Sequence, residues 1–182
     1  MGDDEKEHRE TYDLSAVVLM VLWILATPDT FRSVALRFGV TPGVLHFHYK
    51  RIIAALCSMS AHLVRWPSQE ERVRLSDSVE ERTGFPGVVG ALDGCHIPIY
   101  KPFTDPRLYF NRHHDFSVVL QAVSDENLLF RDIYVGEPGA AHDSRVFRRS
   151  PLCSALLEDD GTLLSDNVHI VADGAYVLTD KV

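Results

Sequence analysis

The hydrophobic rhythm of the chain changes once. Up to Arg65 apolar residues recur at helical spacing, whereas from Val88 onward they come in short β-branched runs. In the first stretch Leu14–Ala26 predicts one helix and residues 30–38 a second, with Asp29 or Thr30 as its N-cap after Pro28. Gly39-Val40-Thr41 predicts a turn, and Pro42 the first position of a third helix running through VLHFHYKRIIAALCSMSAHLV. Helix, short glycine-containing turn, helix is the order of a helix-turn-helix.

In the second stretch VVGALDGCHIPIY, FSVVLQAVS and LLFRDIYVG predict three strands. A helix over 143–157 follows, with Arg145, Arg148 and Arg149 on its exposed side, and VHIVADGAYVL predicts a fourth strand and a turn. This order implies an α/β class with a mixed sheet, antiparallel first and parallel later. It is also the opening order of an RNase H-like fold. The expected division is a charged, disordered tail over 1–10 with no assigned function, a small all-α helix-turn-helix unit over 11–65, a connector over 66–87 and a partial RNase H-like domain over 88–182.

Composition narrows the function classes. With 182 residues, 46% hydrophobic and 24% charged, the chain is ordinary globular material. Its longest apolar run, residues 15–26, falls short of the about 20 that a bilayer needs, so it predicts a buried helix. An acidic leader ahead of that run does not resemble a secretory signal, and an intracellular protein is expected. Cys57, Cys95 and Cys153 form no C-x-x-C pair and predict buried reduced thiols. The net charge of −8 opposes phosphate binding, which rests on Lys and Arg contacts. Either a basic partner or another region supplies DNA affinity, or nucleic acid is not the substrate.

The informative residues are acids. Asp93 interrupts an apolar strand and Asp173 ends another, in segments expected to be buried, where an ionised carboxylate needs a partner. A hard divalent cation is one such partner, and Asp143, just ahead of the predicted helix, is a third candidate ligand. The same residues read otherwise as well. Asp93-Gly94 and Asp173-Gly174 are hairpin signals, and Asp143 suits an N-cap; spacing leaves both alternatives open. Asp105, Asp125, Asp132 and Glu137 predict solvated turn residues, and Glu158-Asp159-Asp160 a helix end and loop. His96 either flanks the acids or is a strand histidine with a local partner. His46 and His48, two apart on a helix, do not share a face and argue against a metal pair. The cations of the third helix are Lys50 and Arg51, a modest footing for DNA.

Several linked segments, in order, carry a family likeness. GVVGALDGCHIPI, the block YFNRHHDFSVVLQAVSDENLLFRDIYVGEPGAAHDSRVFRRSPL and VHIVADGAYVL resemble the DDE-superfamily endonucleases of PIF/Harbinger transposons and the transposase-derived nuclease domesticated from them. The resemblance implies that Asp93 is the first catalytic acid, Asp173 the acid closing the fourth strand, and Asp143 a further metal ligand. It implies a divalent cation, Mg²⁺ or Mn²⁺, that activates water against the DNA backbone, with Arg112 as a phosphate contact; Lys50 and Arg51, read from the third helix itself, are the other nucleic-acid candidates. It also implies a Myb-like partner supplying DNA recognition and nuclear import, hence the nucleus, with the cytoplasm as a second location. The family's last acid, a glutamate downstream of the DGAY strand, has no match here, so an incomplete cage with weak or no cleavage is expected. Two other readings stand beside this one: a non-catalytic DNA- or protein-binding module using the helical unit, and a metal-dependent hydrolase of small phosphate esters.

Overall fold

A computed structural model describes residues 12–165 and 167–176; the tail read over 1–10 and the last residues of the DGAY segment lie outside the described residues. The chain forms two compact units, Met1–Ala61 and His62–Val182.

The first unit holds α1 (Leu14–Ala26), α2 (Phe31–Phe38) and most of α3 (Pro42–Leu63). Short polar side chains start each helix: Asp13 accepts from the Ala16 N–H, Thr30 from Ser33 and Thr41 from Val44. Gly39, at φ 67°, ends α2 in the left-handed conformation, and its N–H returns to the Ala35 and Leu36 carbonyls. Helix, glycine turn and helix follow one another in the expected order. Val17, Met20, Val34, Ala35 and Leu45 form its core. The apolar run of α1 is not fully buried as expected. Only Val17, Met20 and Val21 are covered, while Leu14, Leu19, Leu22 and Leu25 stay exposed, because its partners within the unit cover one face. Among the described residues no helix is long and apolar enough to cross a membrane.

The second unit opens with α4 (Gln69–Thr83), which packs against β1 (Val88–Pro98) and occupies the segment expected as a connector. A capping box starts it: the Ser68 hydroxyl accepts from the Glu71 N–H while the Glu71 carboxylate accepts from the Ser68 N–H. Arg65 adds a two-pronged hydrogen bond to Glu71, at 2.8 and 2.9 Å. These donors, Arg65 first, hold the Glu71 carboxyl at about 2.

After β1 come α5 (Pro106–Tyr109), β2 (Ser117–Ser124), β3 (Phe130–Pro138), α6 (Asp143–Arg149), α7 (Pro151–Leu157) and β4 (His169–Ala172). The sheet order is β3-β2-β1-β4. The first three strands pair antiparallel, and β4 joins β1 in parallel. This four-stranded mixed sheet with its helices is consistent with an incomplete RNase H-like fold, as the sequence implied. Leu92, Val123, Phe147, Leu152, Leu156, Leu164 and Ile170 form the core between sheet and helices. Trp66 packs against it and donates its indole N–H to the Leu163 carbonyl at 2.9 Å.

The single helix expected over 143–157 is two. It breaks ahead of Pro151, because proline disfavours helical backbone in the residue before it, and Ser150 sits at φ −70° and ψ 147°. Ser150 then caps α7 by accepting from the Cys153 N–H. The thiols also depart from expectation: Cys153 is buried, but Cys57 and Cys95 are exposed. So do three loop acids. Asp125 is buried, its carboxylate accepting from the Asn127 and Leu129 N–H groups and pairing with Arg131 at 2.7 Å. Glu137, on β3, accepts from the Tyr134 hydroxyl and Arg149. Asp132 lies within β3, where burial pushes its carboxyl up.

Replacing Leu92 with Ala is expected to cost about 2–5 kcal/mol in urea unfolding, since it empties the centre of the core. Ser68→Ala is expected to cost about 1 kcal/mol through the lost cap. Glu71 ionises below its ordinary value, so its contribution is fully present above pH about 4.3 and is lost as pH falls toward 2. Arg65→Ala should flatten that acid-side loss in a pH series of melting curves.

Candidate active site

Parallel pairing sets two of the three acids side by side. Leu92 of β1 pairs with Ala172 of β4, so the next residues, Asp93 and Asp173, are neighbours at the carboxyl end of β4. That end of parallel strands is where α/β sheets hold ligands. Asp93-Gly94 lies within β1, opposite Ala122 and Gln121, so this pair is not a hairpin turn. Asp173-Gly174 does begin a turn, closed by the Tyr176 N–H on the Asp173 carbonyl at 3.2 Å.

Both carboxylates are exposed rather than buried. Successive strand residues face opposite sides of the sheet: Leu92 enters the core, and Asp93 takes the other face. Each acid has one oxygen engaged locally. The Gly94 N–H donates to Asp93 Oδ1 at 2.7 Å, and the Ala175 N–H to Asp173 Oδ1 at 2.9 Å.

Asp143 reaches β1 from the helix side. It is the first residue of α6 and not its cap; His142 holds that position without a side-chain cap bond. Its Oδ1 lies against Gly94, so closely that a Cβ on Gly94 would stand 2.8 Å from this oxygen and 3.3 Å from the Tyr176 hydroxyl. The strand admits the carboxylate only because residue 94 has no side chain.

Tyr176 sits with Asp143 over Gly94. It is 9% exposed, and its ring meets Phe147 edge-on at 6.0 Å, one helical turn along α6 from Asp143. Its hydroxyl is buried without a hydrogen-bond partner. Burial pushes the phenol well up, and the negative charges of Asp143, Asp93 and Asp173 push it further in that order. Gln121, opposite Gly94 on β2, is 1% exposed, and neither of its amide atoms has a partner. The sequence reading missed Gly94, Tyr176 and Gln121. Only Gln121 left a signal, as the polar residue in the buried phase of β2 between Val119 and Val123.

Among the described residues no three Asp, Glu, His or Cys side chains are grouped closely enough to enclose a metal ion. The donors nevertheless suit a hard cation in kind. Mg²⁺ is usually held by one or two carboxylates, several waters and a substrate phosphate rather than by a closed protein cage. Two adjacent carboxylates with an open side fit that pattern.

The other expected contacts lie apart from the acids. Lys50 and Arg51 are exposed on α3 in the first unit, with Arg51 over the Phe47 ring at 5.4 Å. Arg112 is exposed in the segment after α5, its Nε 3.4 Å from His113 Nε2. His96 has the local partner that one reading allowed, the Ser117 hydroxyl at 2.9 Å. A groove of about 820 Å³ in the first unit is lined by Leu14, Val17, Phe47 and Ile52 among others and contains none of the three acids.

Comparison with known proteins adds an independent line. Residues 92–182 match the family described as DDE superfamily endonuclease. The chain is 26% identical to Protein ALP1-like of Arabidopsis thaliana over 135 residues, covering 73% of this chain and 33% of that protein. It is 27% identical to Antagonist of Like Heterochromatin Protein 1 of Arabidopsis thaliana over 161 residues, 88% of this chain and 40% of that one. Against HARBI1 of Homo sapiens, whose name describes it as a candidate nuclease, identity is 28% over 146 residues, 76% of this chain and 42% of that one. The chain therefore spans about a third to two fifths of the length of these curated relatives. No solved structure gives a significant match.

Gly94→Ala should force Asp143 aside and cost about 1–3 kcal/mol by overpacking. Gly174→Ala, with open space around it, should leave stability unchanged in the same urea titration.

Proposed function

The chain belongs to the DDE superfamily endonuclease family, and on that footing we propose that it carries the acid site of a divalent-metal-dependent DNA endonuclease. Asp93, Asp143 and Asp173 are its metal-holding carboxylates, with Asp93 and Asp173 in the catalytic role. The observation that carries this reading is the parallel pairing of Leu92 with Ala172, which sets Asp93 beside Asp173 at the end of β4, with Asp143 of α6 against the neighbouring Gly94. Structural acids are scattered or paired with cations, and the ion pairs among the described residues involve none of these three.

The residues divide the work. Asp93 and Asp173 each keep one carboxylate oxygen outside the local hydrogen bonds, on the exposed side where a phosphodiester has room to approach. Asp143, half-buried and set against Gly94, contributes charge from the helix side. Bound Mg²⁺ or Mn²⁺ would neutralise the phosphate and make water nucleophilic at neutral pH. Lys50, Arg51 and Arg112 are the phosphate contacts of this proposal. With a net charge of −8 the chain needs help to hold DNA, so a basic partner of the Myb-like kind, acting in the nucleus, completes the reading.

A non-catalytic binding module is the second reading, favoured by the absence of a closed metal cage among the described residues. It predicts DNA affinity that falls steeply with salt and collapses in a Lys50→Ala, Arg51→Ala variant.

Mn²⁺ titration by calorimetry separates the two. The wild-type chain should bind Mn²⁺, and an Asp93→Asn, Asp173→Asn variant should not; equal binding by both, or none by the wild type, would overturn the metal-site reading. In a longer chain of full relative length, Asp93→Asn should abolish Mg²⁺-dependent nicking of supercoiled DNA.

A further inference from the structure

Two buried polar side chains beside the acids lack partners in a fold that satisfies nearly all others. The Tyr176 hydroxyl and both amide atoms of Gln121 are buried and unbonded; among the described residues the only other such atom is Arg72 Nε, whose side chain is already anchored through the Pro67 carbonyl. An orphaned buried polar group is costly and calls for an explanation. These two share a location. Gln121 stands opposite Gly94 in the β1–β2 register, so its side chain leaves the sheet on the face where Gly94 meets Asp143. The Tyr176 hydroxyl is 3.3 Å from the point where a Gly94 Cβ would lie, and Asp143 Oδ1 is 2.8 Å from the same point. Phenol and carboxylate therefore border one small volume over Gly94, and Gln121 leaves the sheet on that same face.

We propose that Tyr176 and Gln121 are positioning residues for Asp143, buried without partners of their own so that they donate hydrogen bonds to its carboxylate when it holds a divalent cation. This rests on the metal-site reading above. The donors suit that role, because a phenol O–H and an amide N–H both bond an anionic oxygen and neither adds a charge that would compete with the cation. Outer hydrogen bonds of this kind orient a ligating carboxylate and commonly set metal affinity. Packing supports the direction of action, because Tyr176 rests on Phe147, which α6 carries on the same face as Asp143. Gly94 completes the arrangement, since any side chain there would fill the space that the Asp143 carboxylate and the Tyr176 hydroxyl border.

The signature of such a device is a trade between stability and binding. Tyr176→Phe and Gln121→Met keep the shape and delete the orphaned polar atoms. In the metal-free protein each variant should melt at the wild-type temperature or above it. In Mn²⁺ titration by calorimetry each should bind roughly tenfold or more weakly than wild type. Melting temperature and affinity falling together would assign both residues to plain packing and overturn the proposal. Unchanged affinity with a raised melting temperature would overturn it as well, by making the orphaned atoms incidental. Failure of the wild type itself to bind Mn²⁺ would remove the metal-site reading and this inference with it, whereas wild-type binding with unaffected variants would remove the inference alone.

Discussion

The parallel pairing of β4 with β1 is the constraint on which the site depends. It aligns Leu92 with Ala172 and so places Asp93 beside Asp173, residues eighty apart in the sequence. A parallel partner cannot be reached by a tight turn; the chain must cross the sheet, usually through helix. Here α6 and α7 make that crossing, and α6 begins with Asp143. The connection that makes the pairing feasible also delivers the third acid.

Local chemistry then fixes what topology brings near. The Gly94 and Ala175 N–H groups set the orientation of Asp93 and Asp173, and the bare Gly94 backbone gives Asp143 its berth. The buried Tyr176 hydroxyl beside the Asp143 carboxylate, unsatisfied like the Gln121 amide, opposes folding. The core formed by Leu92, Val123, Phe147 and Ile170 lies directly beneath and offsets that cost by apolar burial. Electrostatic strain and the best-packed residues of the second unit thus share the same strands.

The strands and the first three helices were legible because their signals are local: β-branched runs, capping side chains, and glycine or proline at the ends. The break at Ser150-Pro151 was also written in the sequence, in a proline that a continuous helix cannot accommodate without cost. The acids were legible as residues but not as a geometry. Whether Asp93 faces the core or the solvent depends on which side of the sheet the helices cover, and no local pattern states that. Asp125 and Glu137 read as solvated because their burial depends on Arg131 and Arg149, cations brought in by folding. Tyr176 looks like any aromatic after a turn until Phe147 and Gly94 are placed around it.

Among the described residues β4 is an outer strand of the sheet, with β1 as its one neighbour. Its far side is therefore a row of backbone donors and acceptors able to template strand addition, the usual origin of edge-to-edge aggregation. Only four residues long and followed at once by Asp173, it presents a short ladder with a charge at its end. The Asp173 carboxylate thus acts as a guard on the colloidal behaviour of the isolated chain, so mutating it to a neutral residue carries a solubility consequence of its own.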